Sequence, residues 1–327
     1  MNHQQRNRSG GDGPGPEAPE RRTTFTAFGL QAEAQPLEPG LHVVATPIGN
    51  LGDISLRALG TLAAADAIIA EDTRVTRVLL AHYGITTPLV AYHEHNAAVV
   101  RPHLLARLEA GAKLALVSDA GTPLVSDPGF KLVAETVAAG FKVTSAPGAS
   151  AVLAALVVAG LPTDRFFFEG FLPQKGAARR GRIGEIAAVP GTLVFFESPR
   201  RLADMLADLA VVLGDREAAV ARELTKFYEN VRRGRLNDLA AQYAQEDAPR
   251  GEIVVLVAPP GTEIATLGEA DLDERLRIAM QKHSVKDAAS LIAAETGMKR
   301  RDVYARAIAL VSEQPLETPA DKTGGGG

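Results

Sequence analysis

The sequence predicts an α/β protein with two α/β domains and a small C-terminal helical module. Three observations support this fold class. From residue 41 onward, short apolar runs alternate with amphipathic stretches of helical spacing, which is typical of a mostly parallel sheet covered by helices on both faces. The chain of 327 residues is long for a single domain. A Pro-Pro-Gly sequence at residues 259–261 separates the alternating region from three helical segments.

The chain divides into five predicted segments. Residues 1–39 are rich in Gly, Pro, Gln, Glu and Arg, so we expect a disordered extension there. The two α/β domains are predicted at residues 40–147 and 148–260, with a cleft between them. The helical module is predicted at residues 266–314, and a Gly-rich flexible tail at residues 315–327.

Each element follows from its local pattern of apolar residues. The first domain is predicted to contain strands at 41–45, 67–70, 89–91, 114–117 and 142–145, and helices at 56–64, 73–82, 97–110 and 130–139. The second is predicted to contain helices at 149–159 and 201–213, and strands near 166–169, 193–196, 218–222 and 253–258. No internal repeat is visible.

The C-terminal module is predicted to consist of three short helices at 272–282, 285–295 and 299–311. Ser284 and Asp287 have the spacing of a capping box, and Gly297 is typical of a helix end. Short helices joined by tight turns indicate a helix-turn-helix-like module. A packing domain that contacts no nucleic acid fits the pattern equally well.

Composition excludes several classes of site. The chain contains no Cys, so it has neither a disulfide nor a thiolate metal site. Its formal net charge of −4 provides no general attraction for nucleic acid, so RNA binding would depend on local basic patches. Neither a signal peptide nor an apolar run of about 20 residues is visible, and we expect a soluble, cytoplasmic protein.

One turn carries the strongest candidate chemistry. The apolar run at 114–117 is typical of a buried parallel strand, and the sequence Ser118-Asp-Ala-Gly-Thr-Pro123 follows it directly. Gly permits positive φ, Pro fixes φ, and Asp and Ser form local hydrogen bonds, so a turn of defined shape is predicted. Ligands of open α/β sheets bind at the carboxyl ends of strands, where this turn is expected. An ordinary strand-to-helix turn is the alternative.

Two other loops offer backbone groups to a ligand. The loop at 45–53 contains Pro47 and two glycines, but it has neither the G-x-G-x-x-G pattern nor the phosphate-loop pattern. The sequence therefore supports no NAD or ATP site of the usual kinds. Residues 147–151 are small and open a helix whose free amide donors suit a flat ligand. Close helix packing is the alternative there.

Ionisable residues follow two further strands of the first domain. Glu71, Asp72 and Arg74 come after the second strand, although Asp72 could simply cap the next helix. His93 and His95 come after the third strand, where two His at i, i+2 would point the same way and could bind a metal. Without a third ligand nearby in sequence, a polar site wall is favoured, and we expect no metal.

Basic residues form three clusters, at 175–182, 222–235 and 299–301. A single cluster is usually a solvated face. Several clusters on a chain of negative net charge suggest local contact with phosphates.

With these residues in view, the chain resembles the tetrapyrrole methylase superfamily and, within it, the ribosomal RNA small subunit methyltransferase I family. The resemblance covers residues 41–258 and the C-terminal helices. Relatives that methylate tetrapyrroles usually carry Gly-Asp-Pro where this chain has Ser118-Asp-Ala-Gly-Thr-Pro123, which favours the RNA branch. Arg200 stands where members often have His, so a required role for that imidazole is in doubt. The remaining matching motifs are Ala45-Thr-Pro-Ile-Gly-Asn-Leu-Gly-Asp53, Ala70-Glu-Asp-Thr-Arg74, Tyr92-His-Glu-His-Asn96, Gly160-Leu-Pro-Thr-Asp-Arg165, Glu169-Gly-Phe-Leu-Pro173 and Ala221-Arg-Glu-Leu-Thr-Lys226.

The resemblance implies 2′-O-methylation of a cytidine ribose in the decoding centre of 16S rRNA by a homodimer that acts on RNA of the small ribosomal subunit. It also implies S-adenosylmethionine bound in the cleft between the two domains. The implied cofactor contacts are Pro47, Asp119, Ala120, Gly121, Thr122, Val125, Ser150, Ala151 and Phe196. A tetrapyrrole methylase of the precorrin type and a non-catalytic ribosome-binding factor remain as alternatives.

The implied reaction needs positioning and a means of lowering the pKa of the ribose hydroxyl, by a base or a nearby charge. The sequence does not rank the candidates. They are Glu71, Asp72, His93, His95, Glu197 and Lys226, with Arg74 and Arg222 as clamps for phosphate or carboxylate groups.

Overall fold

The computed structural model describes residues 23–124, 129–260, 269–296 and 300–312. Two compact units are present. The first comprises residues up to Val158 together with Ala221–Asn230, and the second comprises Ala159–Val220 together with the residues from Val231 onward. A short segment from late in the chain therefore belongs to the first unit.

Most elements lie where the apolar pattern predicts them, with ends that differ by a few residues. The strands are β1 (Thr24–Ala27), β2 (Leu30–Glu33), β3 (Gly40–Val44), β4 (Ala67–Ala70), β5 (Leu89–Ala91), β6 (Lys113–Leu116), β7 (Val143–Ala146), β8 (Phe166–Phe171), β9 (Thr192–Glu197), β10 (Glu217–Arg222), β11 (Asn230–Arg235) and β12 (Ile253–Val257). The helices are α1 (Leu56–Ala64), α2 (Thr73–His82), α3 (Ala97–Glu109), α4 (Phe130–Ala138), α5 (Ala151–Ala159), α6 (Gly176–Ile186), α7 (Leu202–Leu213), α8 (Leu236–Gln245), α9 (Glu269–Met280), α10 (Val285–Thr296) and α11 (Arg300–Ser312).

A hairpin occupies part of the segment that we expected to be disordered. Strands β1 and β2 pair antiparallel, and Phe25 packs into the core beside α1. The backbone N–H of Thr26 also donates to the carbonyl of Tyr83, at 2.7 Å. The expectation of disorder over residues 1–39 is wrong for this part, because Phe25 and a few small apolar residues anchor the hairpin to the core. Residues 1–22 lie outside the described residues.

The sheet of the first unit is wholly parallel, with strand order β5-β4-β6-β3-β7. Its strands bury side chains on both faces, as parallel strands do. Leu41 and Val43 contribute to the core shared with α3 and α4, whereas Val44 contributes to the opposite core, shared with α1 and α2. The carboxyl ends of all five strands therefore meet at one edge of a rigid layer.

The second unit contains a five-stranded sheet of order β11-β10-β12-β9-β8. Strand β9 pairs in parallel with β8 but antiparallel with β12, so this sheet is mixed. The expectation of mostly parallel pairing fails here, because apolar periodicity does not encode strand direction. Helices α6, α7 and α8 cover one face with a core that includes Phe195, Met205 and Leu239.

Helices α9, α10 and α11 have a small core of their own, built around Leu276, Ile292 and Val303. The predicted cap at the start of α10 is present, since the N–H of Asp287 donates to the Oγ of Ser284 at 3.2 Å. Gly297 lies outside the described residues. In the part of the chain that the structure describes, no helix is long and apolar enough to span a membrane.

Candidate active site at the carboxyl edge of the parallel sheet

Loops from four neighbouring strands meet at the carboxyl edge of the first sheet. Because the strand order is β4-β6-β3-β7 across this edge, residues far apart in sequence become neighbours. The loop after β4 carries Glu71 and Asp72, and the loop after β6 is the 118–123 turn. The loop after β3 carries Pro47, and the loop after β7 leads to Ser150 and α5. Most of the predicted site residues of the first domain lie in these loops.

Hydrogen bonds tie the four loops together. Thr46 and Gly121 exchange both of their backbone hydrogen bonds, at 2.9 and 3.0 Å. The hydroxyl of Thr122 donates to the carbonyl of Ala149 at 3.1 Å, which joins the β6 and β7 loops. The backbone N–H of Asp72 donates to Oδ1 of Asp119 at 3.1 Å, which joins the β4 and β6 loops. The edge is thus one connected framework.

Gly121 occupies a position that only glycine fits well. Its φ is +79°, in the left-handed region that L side chains avoid. A Cβ at this position would lie 3.1 Å from Cγ2 of Ile48 and 3.6 Å from the carbonyl oxygen of Ala149. The prediction of a turn of defined shape, with Gly supplying positive φ, is confirmed here.

The β7 loop delivers the N-terminus of α5 to the same edge. The carbonyl of Ser150 accepts from the N–H of Ala154 at 2.9 Å, so Ala151 lies in the first helical turn. Amide donors of a first helical turn lack partners within the helix. The half-buried small residues Ala149, Ser150 and Ala151 leave room beside those donors.

Asp72 acts as a helix cap. Its carboxylate accepts from the backbone N–H of Arg74 at 2.8 Å and from the guanidinium of Arg74 at 2.6 and 3.0 Å. These hydrogen bonds lower the pKa of Asp72 to about 2. A carboxylate with so low a pKa is a weak base, so the capping alternative describes Asp72 well.

Glu71 differs from its neighbour. Burial, followed by the charge of Asp119, raises the pKa of Glu71 above its ordinary value. A positive charge on His93 would lower the pKa of Glu71, so the imidazole lies close enough to interact with this carboxylate. A half-buried carboxylate with a raised pKa is better suited to accept a proton than Asp72 is.

The two histidines of the β5 loop lie near each other, with ring centroids 6.0 Å apart. The backbone N–H of His93 donates to Oδ1 of Asn96 at 2.9 Å, which fixes this loop. Nδ1 of His93 is buried and has no hydrogen-bond partner within the described part of the chain. His95 is exposed. The described residues contain no group of three or more potential ligands that could hold a metal ion.

Lys226 reaches this edge from the segment 221–230. Its backbone N–H donates to the carbonyl of Glu223 at 3.0 Å, and its Nζ lies 2.9 Å from Oε1 of Glu223. The aliphatic stem of Lys226 crosses Gly49, because a Cβ on that glycine would lie 2.5 Å from Cγ and Cε of the lysine. The structure therefore brings Lys226 to the β3 loop, a contact that spacing along the chain did not indicate.

The last two candidates lie in the second unit. Phe196 makes edge-to-face contacts with Phe168 and Phe171, at centroid distances of 4.9 and 5.7 Å. The carboxylate of Glu197 is fully buried, accepts from the N–H of Ser198 at 2.7 Å and lies 3.2 Å from Nη2 of Arg201. Glu197 thus has structural partners. Val125 lies outside the described residues.

The basic cluster at 175–182 is largely used inside the protein. Arg179 and Arg180 both bind the carboxylate of Asp208, at 2.7 and 3.0 Å. Arg182 binds Glu169 at 2.6 Å. Because these arginines already have carboxylate partners, the suggestion that this cluster contacts phosphates is weakened. The partners Asp208 and Glu169 lie outside the cluster in sequence, so local composition did not reveal the pairing.

Sequence reasoning missed the residues that hold the loops together. Thr46 donates its hydroxyl to the carbonyl of Ser118 at 3.2 Å, and Ile48 fills the space beside Gly121. Both residues lie inside the 45–53 loop, so their position after a strand was the available signal. It also missed Phe227 and Tyr228, which follow Lys226 directly and are exposed.

Two family profiles match this chain. The family described as Tetrapyrrole (Corrin/Porphyrin) Methylases matches residues 40–240, and the family described as RsmI C-terminal HTH domain matches residues 266–311. In the fold comparison, a cobalt precorrin-4 methyltransferase has a TM-score of 0.51 at 16% identity, over 67% of this chain and 94% of that chain. A diphthine synthase has a TM-score of 0.51 at 18% identity, over 67% and 89%. These two likenesses concern the fold alone.

Sequence relatives are much closer. The chain is 52% identical over 278 residues to ribosomal RNA small subunit methyltransferase I of Mesorhizobium japonicum, covering 85% of this chain and 94% of that protein. It is 47% identical over 274 residues to the protein of the same name from Pseudomonas aeruginosa, covering 82% and 96%. Within the tetrapyrrole methylase superfamily, the chain belongs to the ribosomal RNA small subunit methyltransferase I family.

Proposed function

We propose that this chain transfers a methyl group from S-adenosylmethionine to ribosomal RNA of the small subunit, at the 2′-hydroxyl of a cytidine in the decoding centre. The observation that carries the proposal is the interlocked edge of the first sheet in a chain of this family. The choice of RNA over a tetrapyrrole is supported by Ser118-Asp-Ala-Gly-Thr-Pro123, where tetrapyrrole-methylating relatives usually carry Gly-Asp-Pro.

The residues at this edge fit the chemical groups of S-adenosylmethionine. The positive φ of Gly121 gives the turn its shape, and the neighbouring Ala120 is exposed and small. The exposed carboxylate of Asp119 can accept hydrogen bonds from an ammonium or hydroxyl group. The first turn of α5, at Ser150 and Ala151, presents amide donors to a carboxylate. We therefore propose these residues, together with Pro47, Thr122, Val125 and Phe196, as the cofactor contacts.

The bound cofactor would supply an electrophilic methyl group, so the protein has to position the ribose and receive its proton. Glu71 is the best candidate for the proton acceptor, because its pKa is raised and it lies at the edge. His93, close to Glu71 with a buried and unpartnered Nδ1, can orient the carboxylate or share the proton. Three other residues are weaker candidates. Asp72 forms a helix cap, His95 is exposed, and Glu197 is buried with structural partners.

Cationic side chains would position the RNA backbone. Arg74 is 85% exposed and is held in place by Asp72, which makes it a pre-oriented clamp for a phosphate. We propose the same role for Lys226 and Arg222, near the β3 loop. We further propose that the enzyme is a cytoplasmic homodimer, as the family resemblance implies.

The test is methyl transfer from labelled S-adenosylmethionine to small ribosomal subunits from a strain that lacks this activity, followed by nuclease mapping. We expect label in one alkali-resistant dinucleotide that contains cytidine. Glu71→Gln should keep cofactor binding and lose most transfer, whereas Glu94→Gln, an exposed residue on the neighbouring loop, should remain active. Label on a base, or no label despite tight cofactor binding, would contradict the proposal. Tight cofactor binding without any label in RNA would favour a tetrapyrrole as the substrate.

A further inference from the structure

Phe227 and Tyr228 form an exposed aromatic pair on the segment 221–230. Their side chains are 93% and 69% exposed, and their rings make an edge-to-face contact at 5.0 Å. Large aromatic side chains with this exposure forgo the stability that burial would provide. Two such residues in contact form an apolar patch, which a single exposed side chain such as Phe28 does not, and a patch of this kind is typical of a surface that a ligand covers.

The segment that carries the pair is held in a defined shape. Glu223 and Thr225 have positive φ values of 51° and 66°, which cost conformational energy in non-glycine residues. The backbone N–H of Thr225 donates to Oε2 of Glu229 at 2.6 Å, and that of Glu229 donates to the carbonyl of Lys226 at 3.1 Å. Leu224 anchors the turn with 7% exposure. The aromatic rings are therefore displayed from a fixed turn.

The pair also lies next to the proposed cofactor edge. Lys226 precedes Phe227 and crosses Gly49, and Ile48, the residue before Gly49, packs against the position of Gly121. A nucleotide whose ribose reaches this edge has its base, or the base of a neighbouring nucleotide, within reach of these rings.

Single-stranded RNA is a ligand that suits exposed aromatic rings. Unpaired bases stack on exposed Phe and Tyr, and enzymes that modify nucleotides commonly unstack their target. Three of the five basic side chains between residues 222 and 235 have ionic partners in the structure, namely Lys226, Arg232 and Arg235. The aromatic rings, and not the charge of this stretch, therefore favour RNA.

We propose that Phe227 and Tyr228 stack on a nucleobase of the substrate RNA and hold the target ribose at the carboxyl edge of the first sheet. This inference rests on the proposed function. The two residues act by positioning, so their removal should weaken RNA binding without changing the affinity for S-adenosylmethionine.

The experiment uses the full-length protein, a short unstructured RNA as the binding probe, and small subunits as the methylation substrate. Phe227→Ala and Tyr228→Ala should each weaken RNA binding by about 5- to 100-fold and raise KM for the subunit. Phe227→Trp should retain wild-type affinity, whereas Phe227→Leu, which keeps apolar bulk without a ring, should behave as Phe227→Ala. Phe28→Ala, at a position that is 94% exposed in the β1–β2 turn, is the matched control and should change nothing.

Two further readouts separate this proposal from its competitors. The slope of log affinity against log salt should stay unchanged in the aromatic variants, because no phosphate contact is lost. Variants that leave RNA affinity unchanged, or that alter the oligomeric state in sedimentation equilibrium, would overturn the proposal and assign the pair to another role or to a second copy of the chain. A wild-type protein that methylates no RNA would instead refute the proposed function itself.

Discussion

Gly121→Ala provides the most direct test of the interlocked edge. An L residue at φ +79° costs about 1–2 kcal/mol. The added methyl group would also lie 3.1 Å from Cγ2 of Ile48, and overpacking of this kind costs about 1–3 kcal/mol in a dense site. We therefore expect the free energy of unfolding to fall by about 2–5 kcal/mol, measured by urea denaturation.

Gly140→Ala is the matched control for this substitution. Its φ is +78°, almost the same as that of Gly121, but a Cβ there has no atom within 4 Å. It should lose only the conformational cost of about 1–2 kcal/mol. The difference between the two variants measures the contact with Ile48 alone.

Cofactor affinity distinguishes a packing role from a binding role. If the 118–123 turn holds S-adenosylmethionine, a shift of a few tenths of an ångström at Gly121 displaces Ala120 and Thr122 as well. We expect Gly121→Ala to weaken cofactor binding at least about tenfold in calorimetry, which corresponds to about 1.4 kcal/mol. Gly140→Ala should bind normally. A folded Gly121→Ala protein with wild-type affinity would refute the assignment of this turn to the cofactor.

Two further predictions concern ionisable groups. The raised pKa of Glu71 means that the native state binds more protons than the unfolded chain just above pH 4.5, so stability should fall as pH rises through that window. Glu71→Gln should reduce this pH dependence of the free energy of unfolding, measured by urea denaturation at several pH values. An unchanged profile would contradict the raised pKa of Glu71. Asp208→Ala leaves the buried Arg179 uncompensated and should cost about 3–5 kcal/mol. Glu185→Ala breaks an exposed contact with Arg182 at 2.7 Å and should cost less than about 1 kcal/mol; equal losses would contradict this reasoning.

The first sheet was predictable because its strands and helices carry strong periodic patterns. Helices α1 and α2 have the predicted bounds, since each starts after a capping residue, Ser55 and Asp72 respectively. The hairpin at β1 and β2 was not predictable, because it is held by contacts of Phe25 and a few small apolar residues with a core formed by residues far along the chain. Strand β11 was hidden by its arginines, three of which lie in Asn230–Arg235.

The site was predictable as a set of loops but not as a network. Polar and glycine-rich sequences after strands indicated the loops in which we propose that the cofactor binds. The roles of individual carboxylates depended on partners that only folding brings together. Asp72 binds Arg74 and forms a cap, Glu197 is buried beside Arg201, and Glu71 is half-buried with a raised pKa.

The segment Ala221–Asn230 has a consequence for how the protein is made. It belongs to the first unit, yet the ribosome synthesises it after Ala159–Val220 of the second. A nascent chain that has emerged only to Val158 therefore lacks the turn that lays Lys226 across Gly49. The parallel sheet can form during synthesis, but its carboxyl edge is completed only when residue 230 has left the exit tunnel. Partial translation products thus cannot carry the finished edge.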